Sequence, residues 1–314
     1  MFSLDDPSAA WKPGPNVLDH SGEPLDPQAD FFAPPPAEIG EVQTARSTLR
    51  QGVHPRSIIV RFGLTVGPVA VLLAIGDYLT KRLDLQGDMV LLSVCGIVGV
   101  LVGAIAWAVT RFRHTCSYVG RNGVSQIVVR GGRDASPSVK TLLFSEAAEL
   151  RTRETRRFVN GIYAGTTYAF IWTDAARHTR LRLSGDHQGK DKPPKPSDPY
   201  HFAARAEAAW SVFMLDRITK ELEATGGVRF NLTGEDFVRV SPGRLELSVK
   251  GRSEELPTNE IQSFTIANGL FHVKHKDARW LSSKGKFSFS YADMANGRLF
   301  LLALEKLTGL SFAK

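Results

Sequence analysis

Two long apolar stretches, residues 58–79 and 89–110, stand close together near the front of a chain whose remainder alternates polar and apolar positions over short intervals. Each is about 22 residues, and about 20 helical residues cross the hydrocarbon core of a bilayer, so the pair predicts a transmembrane helical hairpin over 57–111. The second stretch carries no charge. The first holds Arg61 near one end, Asp77 near the other and Pro68 between them, which a spanning helix tolerates by snorkelling at its ends and kinking at the proline. The opening Met1-Phe2-Ser3-Leu4-Asp5-Asp6 lacks the basic segment of a signal peptide, so the first stretch is expected to persist as a span.

Basic residues set the expected orientation. Arg46, Arg50 and Arg56 precede the first stretch and Arg111, Arg113 and Arg121 follow the second, whereas the intervening loop pairs Lys81 and Arg82 with Asp84 and Asp88. This predicts a multi-pass protein of the cell membrane with both termini cytoplasmic. Cys95 and Cys116 suit a reducing compartment. Gly63 with Gly67, and Gly96, Gly99 and Gly103, have the small-residue spacing that lets helix backbones approach, either within one hairpin or between two copies in a homodimer.

Residues 1–53 read as a disordered acidic tail. The first 50 hold eight of the 17 prolines and eight acidic residues against three basic ones. That leaves about +12 on the rest of a chain whose formal charge is +7. Trp11 and the pair Phe31-Phe32 are the large aromatics there, candidates for a short motif that docks a partner.

Past the second stretch the period becomes two. Strands are expected over 126–129, 141–144, 167–172 and 180–183, with Tyr168, Phe170 and Trp172 on one face. A loop rich in proline and glycine at 185–199 precedes a helix over 201–225, ended by Gly226-Gly227. Strands recur over 237–240, 245–249, 263–266, 270–274 and 287–291, followed by a helix over 296–307. Strands then a helix, twice, predict two related units, 115–227 and 228–314. Short matches support the duplication: Asn160-Gly161-Ile162-Tyr163 with Asn268-Gly269-Leu270-Phe271, both suited to tight hairpins, and Gly120-Arg121-Asn122-Gly123-Val124 with Ser241-Pro242-Gly243-Arg244-Leu245.

This order of elements, with the turn-then-strand opening Tyr118-Val119-Gly120-Arg121-Asn122-Gly123-Val124, resembles the bacterial pleckstrin-homology-like (PH-like) membrane proteins. The resemblance covers roughly 57–310. It implies a membrane-anchored α+β protein, a two-helix transmembrane hairpin followed by two PH-like antiparallel β units each closed by a helix. It also implies a binding or scaffold role without chemistry.

No enzyme signature competes with that expectation. There is no P-loop, dinucleotide fingerprint, nucleophile elbow or paired-cysteine metal motif, so no cofactor or metal is expected. His272 and His275 are three apart, which on a strand points them to opposite faces. The candidate binding residues are Arg151, Arg153, Arg156 and Arg157, whose charge suits anionic lipid headgroups. A second basic group is Lys274, Lys276, Arg279, Lys284 and Lys286. The function expected is a non-catalytic, membrane-tethered binding or scaffold protein with the bilayer and a further protein as partners. The alternative is a subunit or regulator of an integral-membrane transporter or enzyme, using Arg61 and Asp77. A nucleic-acid binder, suggested by a pI near 9.5, lacks any accompanying motif.

Overall fold

A computed structural model describes residues 11–49, 58–82, 89–109, 113–130, 137–189, 193–278 and 285–310. Its elements follow the rule of four strands, three strands and a helix, used twice. In the first unit β1 (Val42–Ser47), β2 (Arg113–Gly120), β3 (Gly123–Arg130) and β4 (Ser138–Leu143) form one antiparallel sheet in chain order. β5 (Glu149–Val159), β6 (Ile162–Thr173) and β7 (Thr179–His187) form the next, and α3 (Tyr200–Thr225) closes the unit. The second unit repeats this with β8 (Val228–Asn231), β9 (Phe237–Ser241), β10 (Arg244–Val249) and β11 (Arg252–Pro257), then β12 (Ile261–Ala267), β13 (Leu270–His275) and β14 (Lys286–Ser290), then α4 (Gly297–Thr308). In both units a single 3-10 turn, Phe144–Glu146 or Thr258–Glu260, joins the four-stranded sheet to the three-stranded one. Asn160-Gly161 and Asn268-Gly269 make the equivalent hairpin turns, all four residues at positive φ, which Asn and Gly adopt at least cost.

The hairpin of helices is an insertion in the first unit, between its first and second strands, and not a preface to it. β1 precedes the helices yet pairs with β2 after them, Ala45 opposite Tyr118 and Arg46 opposite Ser117. α1 (Ile58–Arg82) and α2 (Met89–Val109) occupy the apolar stretches and pack on each other. The transmembrane expectation is corrected: among the described residues, no helix is long and apolar enough to cross a membrane. α1 interrupts its apolar run with Arg61, Pro68 and Asp77 and closes on Lys81-Arg82. The membrane-anchored fold class, the membrane keywords and the multi-pass localisation fall with it. Ile97, Val100, Leu101 and Ile105 nonetheless stand more than half exposed on α2.

The five glycines divide. A Cβ on Gly99 would lie 3.0 Å from Cα of Val69, and one on Gly103 2.7 Å from the carbonyl oxygen of Thr65, so these two are where α2 meets α1. Gly96 is looser, 3.7 Å from Leu73, and Gly63 and Gly67 have nothing within 4 Å.

The acidic tail is corrected too. Residues 11–49 are ordered: 42–47 form β1, and on the outer face of the first sheet Phe31, Phe32, Ala33, Ile39 and Leu49 bury Cys116, Tyr118, Ile127 and Val129. Trp11 meets Phe31 and Tyr118 edge-on, at 5.1 and 5.2 Å between centroids, and the Tyr118 hydroxyl donates to the carbonyl of Ala33. This proline-rich chain folds through tight turns, Gly22 N–H donating to Asp19 O and Ala29 N–H to Asp26 O, against the apolar face that β2 and β3 present. The aromatics read as partner-docking motifs are spent on the chain's own core.

α3 buries Phe202, Ala206, Trp210 and Met214, one face at four-residue spacing, and ends at Gly226 in the left-handed conformation. Its neighbours are β2, β3, β6 and β7 of its own unit and β8 and α4 of the next. One apolar core therefore runs through both units, from Val119 and Phe144 through Trp172 and Trp210 to Phe271 and Phe300.

Their joint is polar. Asn296, at φ 54°, accepts from Leu150 N–H (3.0 Å) and from Trp210 Nε1–H (2.9 Å) with one side-chain oxygen, while its own N–H donates to Leu150 O at 2.6 Å. Asn296→Gly keeps the backbone conformation but strands two buried donors, and is expected to cost about 2–4 kcal/mol in chemical denaturation. Gly103→Ala is expected to loosen α1 from α2, seen as faster amide exchange in both helices, whereas Gly63→Ala stabilises by up to about 1 kcal/mol.

Candidate functional site: a basic cleft at the open end of the first unit

In antiparallel sheets directly opposed residues share a face, so the register of the first sheet decides what its inner surface presents. Val119 and Val124 are opposed and buried. Two residues along, Ser117 lies opposite Gln126 on one side and Arg46 on the other, and Gln126 lies opposite Lys140. At the end of the ladder Arg113 faces Arg130. The same face thus passes from apolar to basic, Arg46, Arg113, Arg130 and Lys140 gathering where the strands leave the core.

Against this face stands β7, an edge strand, with Arg182, Ser184 and Asp186. The loop residues Ser197 and Asp198 complete a cleft of about 500 Å³. Arg46 is held in place: its guanidinium donates to the carbonyl of Pro196 and sits 3.8 Å from the Asp19 carboxylate. Thr48 Oγ1 accepts from Thr115 N–H at 2.9 Å, which ties the end of β1 to β2 across the inserted helices. Asp198 is committed to the start of α3, accepting from Tyr200 N–H at 2.9 Å. Tyr168 lines the cleft with its phenol pushed up to about 12 by burial and then by the charges of Asp198 and Asp186, so it stays protonated.

The floor is His20, contributed by the segment expected to be disordered. Its ring nitrogens lie 2.9 Å from Thr44 Oγ1 and 2.9 Å from Ser117 Oγ, its ring rests 5.0 Å from Phe202, and Arg205 donates to its carbonyl oxygen at 2.9 Å. Burial, reinforced by Arg46 and Arg205, holds its pKa down to about 3. A Ser–His contact invites comparison with a nucleophile and its base. A general base works with a pKa near the operating pH, and a histidine this acidic scarcely draws a proton from Ser117.

The sequence-stated binding residues do not converge on this cleft. Arg151 is structural, 2.8 Å from the Glu149 carboxylate and donating to the carbonyls of Asp293 and Leu232, so it clamps the first unit to the second. Arg153 is exposed and reaches Asp293 only at 3.9 Å. Arg156 and Arg157 are exposed on opposite faces of β5. In the second basic group Lys274 opposes Lys286 on the outer face of β13 and β14, while Arg279 and Lys284 lie outside the described residues. His272 and His275 stay apart, His275 donating to Glu260 at 3.0 Å. No group of three or more His, Cys, Asp or Glu side chains suited to a metal occurs among the described residues.

Sequence periodicity missed the cleft because its cations, Arg46, Arg113 and Arg182, lie far apart in the chain and two of them were assigned to membrane flanks. A usable signal was present: Arg113, Thr115 and Ser117 alternate with Cys116 and Tyr118, which marks a strand with a polar inner face. Comparison with known proteins adds no family: no protein-family model matches the chain, and no curated protein matches it.

His20 is expected to make the protein acid-labile. Its folded pKa lies below the ordinary 6.5, so its stabilising neutral form is fully present above about pH 6.5 and is lost as pH falls toward 3, at up to about 1.4 kcal/mol per pH unit. His20→Gln is expected to be less stable at pH 7 yet to show a shallower loss between pH 6.5 and 4, read by urea midpoints.

Proposed function

We propose that this chain is a non-catalytic binding protein of the PH-like kind, a scaffold of two sheet-and-helix units whose first unit takes an anionic ligand of the phosphate-ester class in the cleft. The observation that carries this is the pairing of Arg113, which lines the cleft, with Arg130 beside it across the ladder. Like charges directly opposed on a sheet destabilise it, and an anion seated between them relieves the cost. Arg46 on the same face and Arg182 on the facing strand supply further donors. Asp186, a carboxylate on the same wall, suits hydroxyls on the body of the ligand, as in a phosphorylated polyol. The low basicity of His20 supports binding over turnover.

Thermal unfolding tests this with inorganic phosphate, a sugar phosphate and the unphosphorylated sugar. A phosphorylated probe at 100 times its Kd is expected to stabilise by about 2.7 kcal/mol, with no effect of the neutral sugar. Arg113→Gln with Arg130→Gln should abolish that shift while leaving the unliganded protein as stable or more so. Equal shifts in the variant, or none in the native protein, would refute the assignment.

A further inference from the structure

β5 and β6 are longer than the sheet that contains them. β7 pairs with β6 only as far as Thr166, opposite His187, whereas β5 and β6 continue pairing to Val159 and Ile162. Beyond the sheet the two strands project as a free ribbon, turned by Asn160 and Gly161 at φ 50° and 77°. Its end is apolar and uncovered: Phe158 is 54%, Val159 61% and Ile162 73% exposed. Single exposed apolar side chains are ordinary, but three at one turn form a patch.

The patch has two faces. Along β5, Arg156 and Phe158 share one side and Arg157 and Val159 the other. Tyr163 stands opposite Phe158, ring centroids 5.9 Å apart, and Ile162 stands opposite Val159. Each face of the tip is therefore apolar at the end with an arginine one step behind it. Among the described residues neither Arg156 nor Arg157 forms an ion pair, and Arg153 follows on the Arg157 side.

From this we propose that the β5–β6 tip docks on the surface of an anionic lipid bilayer, Phe158, Val159 and Ile162 entering the headgroup–acyl boundary and Arg156 and Arg157 meeting the lipid phosphates. A groove in another protein would cover one face of the ribbon and leave the other wet, whereas a fluid apolar layer surrounds both. Arginine stems suit this depth, since their methylenes remain in the apolar zone while the guanidinium reaches the charged layer. The cationic collar complements an anionic leaflet. The docking is peripheral, needs no spanning helix, and does not depend on the ligand assigned to the cleft. It keeps two of the four arginines picked out in the sequence, Arg156 and Arg157, as lipid contacts.

Amide hydrogen exchange on the full chain is the test, with vesicles of phosphatidylcholine alone and with phosphatidylserine added. Slower exchange across residues 155–165 is expected on the anionic vesicles only, diminishing at high salt. Arg156→Gln and Arg157→Gln should each weaken partitioning about fivefold, and Phe158→Ser with Ile162→Ser should abolish the protection, all with an unchanged thermal midpoint. Exchange in 155–165 that ignores the vesicles, that slows equally on neutral ones, or that stays slow in the variants would overturn the proposal.

Discussion

One side-chain oxygen, that of Asn296, holds the two units in register. It satisfies a donor on the edge of β5 and the indole of Trp210 on α3, both deeply buried, and its backbone bonds back to β5. A buried donor left without a partner costs more than its hydrogen bond contributes, so the joint is specified by what its absence would leave exposed to an apolar core. Around it Asn231 donates to Glu149 at 2.7 Å, Arg151 pairs with the same carboxylate, and Ala295 bridges to Arg151 through the backbone. Because this polar knot closes the edge of β5 with chain from the second unit, α3 serves both cores at once.

That arrangement also explains where the cleft is. α3 fills the apolar end of the first unit, and the helix's first turn, Phe202 with the loop before it, marks the limit of the filling. Past that limit the inner face of the first sheet has no helix to bury it and carries Arg46, Arg113 and Arg130 instead. The N-terminal segment does the opposite job on the outer face, covering Tyr118 and Cys116 and delivering His20 as a neutral plug between the two surfaces. Burial raises the Cys116 thiol to about 11, which leaves it a packing residue with little thiolate.

Much of the second half of the fold was legible in the chain because the signals are local. Phe287, Phe289 and Tyr291 alternate with serines, Asn-Gly marks both long hairpins, and both closing helices begin and end within a residue of where the apolar stripe and, for the first, the following glycine put them. Strands with short or mixed patterns were lost: β1 lay inside a segment whose prolines and acids looked unfoldable, and β5 hid behind its arginines. The cleft was illegible for a related reason. Its residues come from the N-terminal segment, β1, β2, β3, β6, β7 and the loop before α3, and pairing across an insertion of two helices brings them together.

By itself the sequence determined the secondary structure wherever one face of an element repeats within a few residues: the helices over the apolar stretches, the alternating strands, the turn glycines and the duplication they imply. Only the tertiary structure decided that the acidic segment folds, that the helical pair interrupts a sheet, that Arg151 is a clamp while Arg113 is a cleft residue, and that no described helix is long and apolar enough to span a membrane. The physical reason is range. Propensity and periodicity are written in neighbours three or four positions apart, whereas burial, register and the pairing of charges are settled by residues dozens of positions away, whose approach depends on the whole core closing at once.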